Sequence, residues 1–153
     1  MRNIERIVVH CTATKPTATV GALLNHFRSM GWLHPGYHRV VEADGNVTTL
    51  LNDAGVANGT RGYNATSLHV AYIGGLDDAG RPADTRTTAQ RTALAALLQT
   101  LKGRYPQARI VGHRDLSPDA NGNGRIEPWE RIKECPCFDA AVEYAHIKAS
   151  AAV

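Results

Sequence analysis

The 153-residue sequence lacks any long hydrophobic run, and its purely apolar stretches are only a few residues long. A helix that crosses a membrane needs about 20 such residues, so we expect no membrane insertion. The chain also lacks an internal repeat, a Ser/Gly-rich linker and a stripe of basic residues, and its formal charge is only +3. A small and scattered positive charge is typical of a solvated surface, so nucleic acid is not an expected partner.

Cysteine is scarce and odd in number, with Cys11 far from the pair Cys135 and Cys137. Three cysteines in this spacing do not form a disulfide framework, so metal or thiol chemistry is the better hypothesis. We expect Cys11 and Cys137 to be small buried residues, and a disulfide between them remains open. Charges interrupt the first apolar stretch, so we expect no signal peptide and synthesis in the cytoplasm.

Apolar spacing and turn signals predict alternating strands and helices in one domain over residues 1–148, with a short frayed tail at 149–153. Thr19 is a predicted helix cap, Thr87 and Gln90 form a capping box, and Asp44-Gly45 indicates a hairpin turn. The expected strands cover 4–11, 37–42, 47–51, 68–73 and 108–112. The first two helices are expected to start at 20 and 87, and a closing helix is expected over 139–148. This pattern predicts an α/β fold with a single mixed central sheet flanked by helices.

Two histidines lie where predicted strands end, His10 after Ile7-Val8-Val9 and His113 after Ile110-Val111-Gly112. The ends of strands present side chains to a cleft, and Cys135 is a third candidate for the same site. Two imidazoles and one thiolate would give zinc three protein ligands and leave the fourth position to water, as catalytic zinc sites require. Taken singly, each histidine is more often a hydrogen-bonded residue of the core or surface, so neither alone indicates zinc.

Five short motifs follow one another between Ile4 and Phe138. They are Val8-Val9-His10-Cys11-Thr12, Gly36-Tyr37-His38, Arg61-Gly62-Tyr63-Asn64 before a strand that ends Ile73-Gly74-Gly75, Gly112-His113-Arg114-Asp115, and Lys133-x-Cys135-Pro136-x-Phe138-Asp139. In this order they resemble the zinc-dependent N-acetylmuramoyl-L-alanine amidases. That family includes the phage lysozyme-amidases and shares its fold with the peptidoglycan recognition proteins.

The resemblance implies that His10, His113 and Cys135 are zinc ligands and that Tyr37 and Lys133 are catalytic. It also implies the substrate, because the family cleaves the amide between the lactyl group of N-acetylmuramic acid and the L-alanine of the stem peptide. On an extended backbone, Lys133 and Cys135 would share one face. The role of Tyr37, which could position water or hydrogen-bond the reacting amide, stays open, as does simple core packing.

The sequence departs from the family at one point. Many members carry a histidine shortly before Gly-Tyr-Asn, where this chain has Val56-Ala57-Asn58-Gly59-Thr60-Arg61, and His69 occurs instead in the following strand. We therefore treat His38, Asn58 and His69 as candidate substrate contacts. The alternative for His69 is a hydrogen bond within the strand.

Residues 119–130 match the calcium-loop pattern D-x-[DN]-x-[DN]-G-x5-E. The predicted ligands are Asp119, Asn121, Asn123, the backbone carbonyl of Arg125, and a bidentate Glu130, with Glu127 possible through water. We expect a structural Ca²⁺ rather than a sensor, because Leu116-Ser117-Pro118 does not read as an entering helix. The alternative is a surface turn rich in asparagine and glycine.

The leading hypothesis is a monomeric phage endolysin that acts on bacterial peptidoglycan after release from the cytoplasm through a holin-type pore or a delivery system. A bacterial recycling or effector amidase would use the same chemistry. A non-catalytic peptidoglycan-binding module is the alternative from another class, and retention of Lys133 and Cys135 argues against it. A calcium sensor is disfavoured because its loop lacks the entering helix.

Overall fold

The computed structural model describes residues 2–148, and these residues form one five-stranded mixed sheet. The strands are β1 (Arg6–Cys11), β2 (Arg39–Val41), β3 (Val47–Thr49), β4 (Ser67–Tyr72) and β5 (Arg109–Gly112), in the order β3-β2-β4-β1-β5. Parallel pairing joins β2, β4, β1 and β5, and β3 pairs antiparallel with β2. The predicted α/β class is confirmed, while the predicted tail at 149–153 lies outside the described residues.

The helices begin where their caps predict. Helix α1 (Val20–Ser29) starts after Thr19, whose hydroxyl accepts a hydrogen bond of 3.1 Å from the backbone N–H of Ala22. Helix α2 (Thr88–Arg104) opens on the predicted Thr87–Gln90 capping box. Among residues 2–148, no helix combines the length and the apolar character needed to span a bilayer.

The C-terminal helix is shorter than predicted, because α3 covers only Ala140–Glu143. Beyond Glu143 the chain turns more tightly, with hydrogen bonds from Ala145 to Val142 and from Ile147 to Tyr144. Tyr144 and Ile147 are both buried in the main core. In a turn with three residues per turn, side chains at i and i+3 lie directly above one another, so Tyr144 and Ile147 both face the core. In a regular α-helix the same two side chains would be rotated away from each other.

The sheet buries apolar side chains on both faces because strand side chains alternate. Ile7, Val9 and Cys11 of β1 pack with residues of α2 and α3 on one face. The opposite face is covered by α1 through Phe27 and its neighbours. By this alternation His10, between Val9 and Cys11, lies on the α1 face, and there it is 1% exposed.

Arg86 attaches the C-terminal segment to the body of the domain. Its guanidinium is 2.6 and 2.8 Å from the two carboxylate oxygens of Glu143 and 2.9 Å from both oxygens of Asp84. The same group lies 3.4 Å from the centroid of the Phe138 ring and is hydrogen-bonded to the Tyr144 hydroxyl. Because Arg86 is only 6% exposed, its ion pairs are shielded from solvent far more than a surface pair.

We predict that Arg86→Ala lowers the free energy of unfolding by about 2–3 kcal/mol. This is less than the full cost of breaking a buried pair, since Asp84 and Glu143 can regain some water. The control is Arg81→Ala, because the Arg81 side chain is 79% exposed and its 3.9 Å pair with Asp77 is expected to contribute under about 0.5 kcal/mol. Urea denaturation of both variants measures the difference, and equal losses would contradict the prediction.

The same pair predicts a pH dependence. The hydrogen bond from Arg86 holds the pKa of Glu143 below its ordinary value. As pH falls below about 4.3, the unfolded chain therefore takes up the proton before the folded one, and the stabilisation is lost. The stability gap between the wild type and Arg86→Ala should narrow between pH 7 and pH 3.

Candidate metal centre and cleft

The register of the parallel strands brings two of the candidate ligands together. In the pairing of β1 with β5, Val9 lies opposite Gly112, so His10 and His113 each follow one of these paired residues. The carboxyl ends of parallel strands meet at the same edge of a sheet. Both imidazoles therefore reach the same cleft, although a hundred residues of chain separate them.

Cys135 completes the group from a loop after β5. The ligand atoms of His10, His113 and Cys135 all lie within 4.8 Å of one another. The two Nδ1 atoms are 3.2 Å apart, and the Cys135 Sγ is 3.8 Å from the Nδ1 of His10. Within residues 2–148 this is the one group of three or more His, Cys, Asp or Glu side chains whose ligand atoms are close enough to share an ion.

Backbone hydrogen bonds fix the position of the thiol. The N–H of Cys11 donates to the Cys135 Sγ over 3.1 Å, and the N–H of Arg114 donates to the Cys135 carbonyl over 2.9 Å. The next peptide bond, to Pro136, is cis, and the Pro136 carbonyl accepts a 2.7 Å hydrogen bond from Tyr72. These contacts hold the Cys135 sulfur beside the two imidazoles, where it can serve as a third metal ligand.

Burial keeps the two imidazoles neutral. It lowers the pKa of His10 well below its ordinary value, with further lowering from His69, His113 and Lys133. Burial and the nearby Lys133 lower the pKa of His113 to about 4. Neutral imidazoles carry the nitrogen lone pair that a metal ligand needs, so at neutral pH this group is ready to bind a cation.

The central cleft, of about 240 Å³, is lined by the three candidate ligands, by Tyr37 and Lys133, and by residues of α1. The ring of Tyr37 lies 5.1 Å from that of His10, and its hydroxyl donates to the carbonyl of Cys11 over 3.3 Å. Burial raises the pKa of Tyr37 well above its ordinary value, so the phenol remains protonated. Lys133 is exposed at the rim.

A second depression, of about 370 Å³, extends from the central cleft and shares His113 and Lys133 with it. Trp32 and Asn58 also line both spaces, and Met30 lies at their border. The amide of Asn58 donates to the carbonyl of His34, which holds its side chain at the wall. The two depressions are therefore continuous and form one groove beside the metal centre.

The other two candidate substrate contacts are fully buried. The Nε2 of His38 donates a hydrogen bond of 2.8 Å to the Gly55 carbonyl, and its Nδ1 accepts one from the backbone N–H of His69. Both ring nitrogens of His38 are therefore occupied by contacts within the fold. The His69 ring lies behind the metal group, with its Nδ1 2.8 Å from the Nε2 of His10. Sequence reasoning missed this contact, although strand alternation on β4 places His69 on the α1 face with Ala71.

Cys11 and Cys137 are free thiols whose sulfur atoms lie 4.0 Å apart. Cys11 is buried, as expected, and Cys137 is partly buried. An ideal Cβ at Gly75 would lie 2.5 Å from the Cys11 sulfur, and Gly75 also has a φ of +99°. Glycine is therefore required there on both counts, and it lets the chain that leaves β4 pass close to the end of β1.

The side-chain oxygens of the 119–130 loop turn inward onto its own backbone. The Asp119 carboxylate accepts from the N–H groups of Gly122 and Gly124, Asn121 from Asn123, and Asn123 from Arg125. Glu130 is 7% exposed and accepts from the N–H groups of Ala120 and Glu127. Gly124 has a φ of +81°, a left-handed conformation that glycine adopts without strain, and this allows the sharp turn of the loop.

Comparisons with known proteins agree with this geometry. The family model described as N-acetylmuramoyl-L-alanine amidase matches residues 1–136. The endolysin of Enterobacteria phage K11 is 36% identical over 137 residues, covering 88% of this chain and 91% of that protein. Peptidoglycan-recognition protein SC2 of Drosophila melanogaster is 26% identical over 141 residues, covering 82% and 74%.

Solved structures show the same fold. The Ph2119 endolysin from the Thermus scotoductus MAT2119 bacteriophage Ph2119 superposes with a TM-score of 0.70 at 24% identity, covering 98% of this chain and 88% of that one. The predicted likeness to the amidase and peptidoglycan recognition fold is therefore confirmed.

Proposed function

Because the chain belongs to the family of N-acetylmuramoyl-L-alanine amidases, we propose that it is a zinc-dependent phage endolysin. Its reaction is hydrolysis of the amide between the lactyl group of N-acetylmuramic acid and the L-alanine of the stem peptide. The observation that carries the proposal is the convergence of His10, His113 and Cys135 beside an open groove. The similarity to the phage K11 endolysin supports the endolysin assignment, and the proposed route to the cell wall is release from the cytoplasm through a holin-type pore or a delivery system.

The donor set fits zinc. Two neutral imidazoles and one cysteine sulfur are ligands that zinc favours, and three protein ligands leave a position for solvent. When bound, zinc would supply an acidified water molecule and Lewis acidity toward the substrate carbonyl. The Cys11 N–H holds the Cys135 sulfur in place, while burial keeps His10 and His113 neutral and able to bind a metal.

Lys133 supplies positive charge at the rim of the centre. It lies close enough to lower the pKa of both His10 and His113. Negative charge develops on the carbonyl oxygen as the tetrahedral transition state forms, and an ammonium group placed beside it stabilises that charge. We assign this role to Lys133.

Tyr37 is a fixed hydrogen-bond donor beside the centre. Its phenol stays protonated, and in this structure it donates to the Cys11 carbonyl. That bond is 3.3 Å long, so the hydroxyl could exchange it for a substrate oxygen with little loss. We assign Tyr37 to orienting the scissile amide, and Asn58 to the wall of the substrate groove.

We predict that Cys135→Ser lowers zinc affinity and abolishes hydrolysis, because a hydroxyl is a far poorer zinc ligand than a thiolate. Cys137→Ser is the matched control and should keep both zinc and activity. Zinc content by elemental analysis, and mass spectrometry of digested peptidoglycan, measure the two effects. Free stem peptides with intact glycan strands support the amidase assignment. Cut glycan strands would contradict that assignment. Full activity in Cys135→Ser would show that the Cys135 thiol is not a required zinc ligand.

Lys133→Met should reduce kcat by about 10²–10³-fold, the usual effect of losing one charge-stabilising donor. Zinc content should not change, because Lys133 is not a ligand. Lys148→Met, at an exposed lysine, is the control. If Lys133→Met bound peptidoglycan and retained full kcat, the charge-stabilising role would be wrong.

We also propose that the 119–130 loop binds a structural calcium ion. The match of its sequence to the calcium-loop pattern and the inward-facing oxygens of Asp119, Asn121, Asn123 and Glu130 support this. The carbonyl of Arg125 would complete the set. The loop joins the segments that carry His113 and Cys135, so an ion there would stiffen the metal centre's surroundings.

Calcium should therefore raise the melting temperature, and a calcium-selective chelator should increase hydrogen exchange over residues 115–135. Glu130→Gln should weaken both responses, since it removes the bidentate carboxylate. Calorimetry on zinc-loaded protein separates the effect of calcium on the melting temperature from that of zinc. The absence of any shift at millimolar calcium, with no calcium in the purified protein, would exclude the site.

A further inference from the structure

The side chain of His69 contacts the candidate zinc ligand His10 on the side of its ring that faces away from the metal centre. Its Nδ1 lies 2.8 Å from the Nε2 of His10, and both rings are almost completely buried. The other nitrogen of His10, Nδ1, faces His113 and Cys135. The imidazole of His10 thus directs its Nδ1 toward the metal centre and its Nε2 toward His69.

This arrangement has consequences for where the hydrogen atoms lie. A neutral imidazole has one N–H and one lone pair, so His10 can bind a metal through Nδ1 only when its hydrogen is on Nε2. That N–H needs an acceptor in a site closed to bulk water. The Nδ1 of His69 is in position to accept it, which fixes both the tautomer and the rotation of the His10 ring.

The position of His69 depends on Gly59. An ideal Cβ at residue 59 would lie 2.2 Å from the His69 Nδ1 and 2.4 Å from its Cγ, distances that no real structure tolerates. Gly59 does not have a positive φ, so its backbone would accept another residue. The glycine is therefore required for space, and that space is filled by the imidazole of His69.

Core packing alone does not account for a histidine at this place. The Nε2 of His69 is buried and has no hydrogen-bond partner within residues 2–148. A buried polar atom without a partner is destabilising, so an apolar side chain would pack better. What the imidazole adds is a hydrogen-bond acceptor at Nδ1. The backbone N–H of His69 donates to the Nδ1 of His38, and this bond helps to hold His69 in place.

We propose that His69 is a positioning residue that holds His10 in the tautomer and orientation needed to bind zinc, and that Gly59 provides the space for it. This inference rests on the proposed zinc centre. It predicts that His69 acts on metal affinity, through His10, without touching substrate. It also predicts that residues 59 and 69 act as one coupled unit.

The test is zinc affinity, measured by competition with a chromophoric chelator. His69→Ala should weaken zinc binding by about 10-fold or more, as expected for loss of a partner that orients a metal ligand. His69→Asn, whose amide oxygen can accept from the Nε2–H of His10, should restore much of the affinity. Imidazole ¹⁵N NMR of the zinc-bound protein should show a hydrogen-bonded Nε2–H on His10 in the wild type and in His69→Asn, but not in His69→Ala.

Gly59→Ala provides an independent test that leaves the imidazole in place. The added methyl group should displace His69 and weaken zinc binding to a similar extent. In the His69→Ala background the same methyl group has room, so Gly59→Ala should cause no further loss. Gly103→Ala is the matched control, since a Cβ there meets no atom within 4 Å, and it should leave zinc affinity unchanged.

Two results would overturn the proposal. One is zinc affinity within twofold of the wild type in His69→Ala, and the other is an equal effect of Gly59→Ala with and without His69. If His69→Ala does not fold, His69→Asn and Gly59→Ala carry the test. Wild-type protein that binds zinc but releases no stem peptide would refute the proposed function and leave this inference intact, so the two failures are distinguishable.

Discussion

The site depends on one constraint, the parallel pairing of β1 with β5. This pairing sets Val9 opposite Gly112 and thereby fixes the positions from which His10 and His113 leave the sheet. A shift of one residue in either strand would send its histidine to the opposite face, into the core that packs against α2 and α3. The close approach of the two Nδ1 atoms is therefore a property of strand register, enforced by the apolar residues on both faces.

The third ligand is held in a different way. Cys135 lies outside the regular elements, and its place is determined by hydrogen bonds to the backbone of Cys11 and Arg114. These bonds tie the Cys135 loop to the ends of β1 and β5, so they fix the position of the sulfur relative to both imidazoles. The surrounding side chains then set the chemistry, since burial leaves the imidazoles neutral and Lys133 keeps positive charge at the open side.

Local signals in the sequence predicted the fold well. Thr19, Thr87 with Gln90, and the Asp44-Gly45 turn each satisfy a nearby backbone group, so their effect is visible within a few residues. The last helix was overestimated because the burial of Tyr144 and Ile147 decides its end, and burial is a tertiary property. The ends of predicted strands suggested His10 and His113, with Cys135 as a third candidate, but spacing over a hundred residues is weak evidence. The resemblance to a family turned that suggestion into a definite expectation.

The roles of the remaining histidines could not be predicted in the same way. His38 and His69 were candidate substrate contacts, yet the structure buries both, and the groups that their rings contact belong to segments distant in sequence. The sequence did not indicate a role for Gly59, because its importance lies in the space that a missing side chain leaves for the imidazole of His69. Such complementary pairs are visible only when both side chains are placed in three dimensions.

The hydrogen bond between Arg114 and Cys135 closes the loop that runs from one ligand to the other. Its two ends meet beside the metal centre, and Gly124 and Ile126 of the intervening chain line a depression together with Arg6 and Arg109 of the sheet. Residues 120–125 of this excursion are exposed. Because both ends are anchored, a change of length within these exposed residues should disturb the position of Cys135 less than a change at either end.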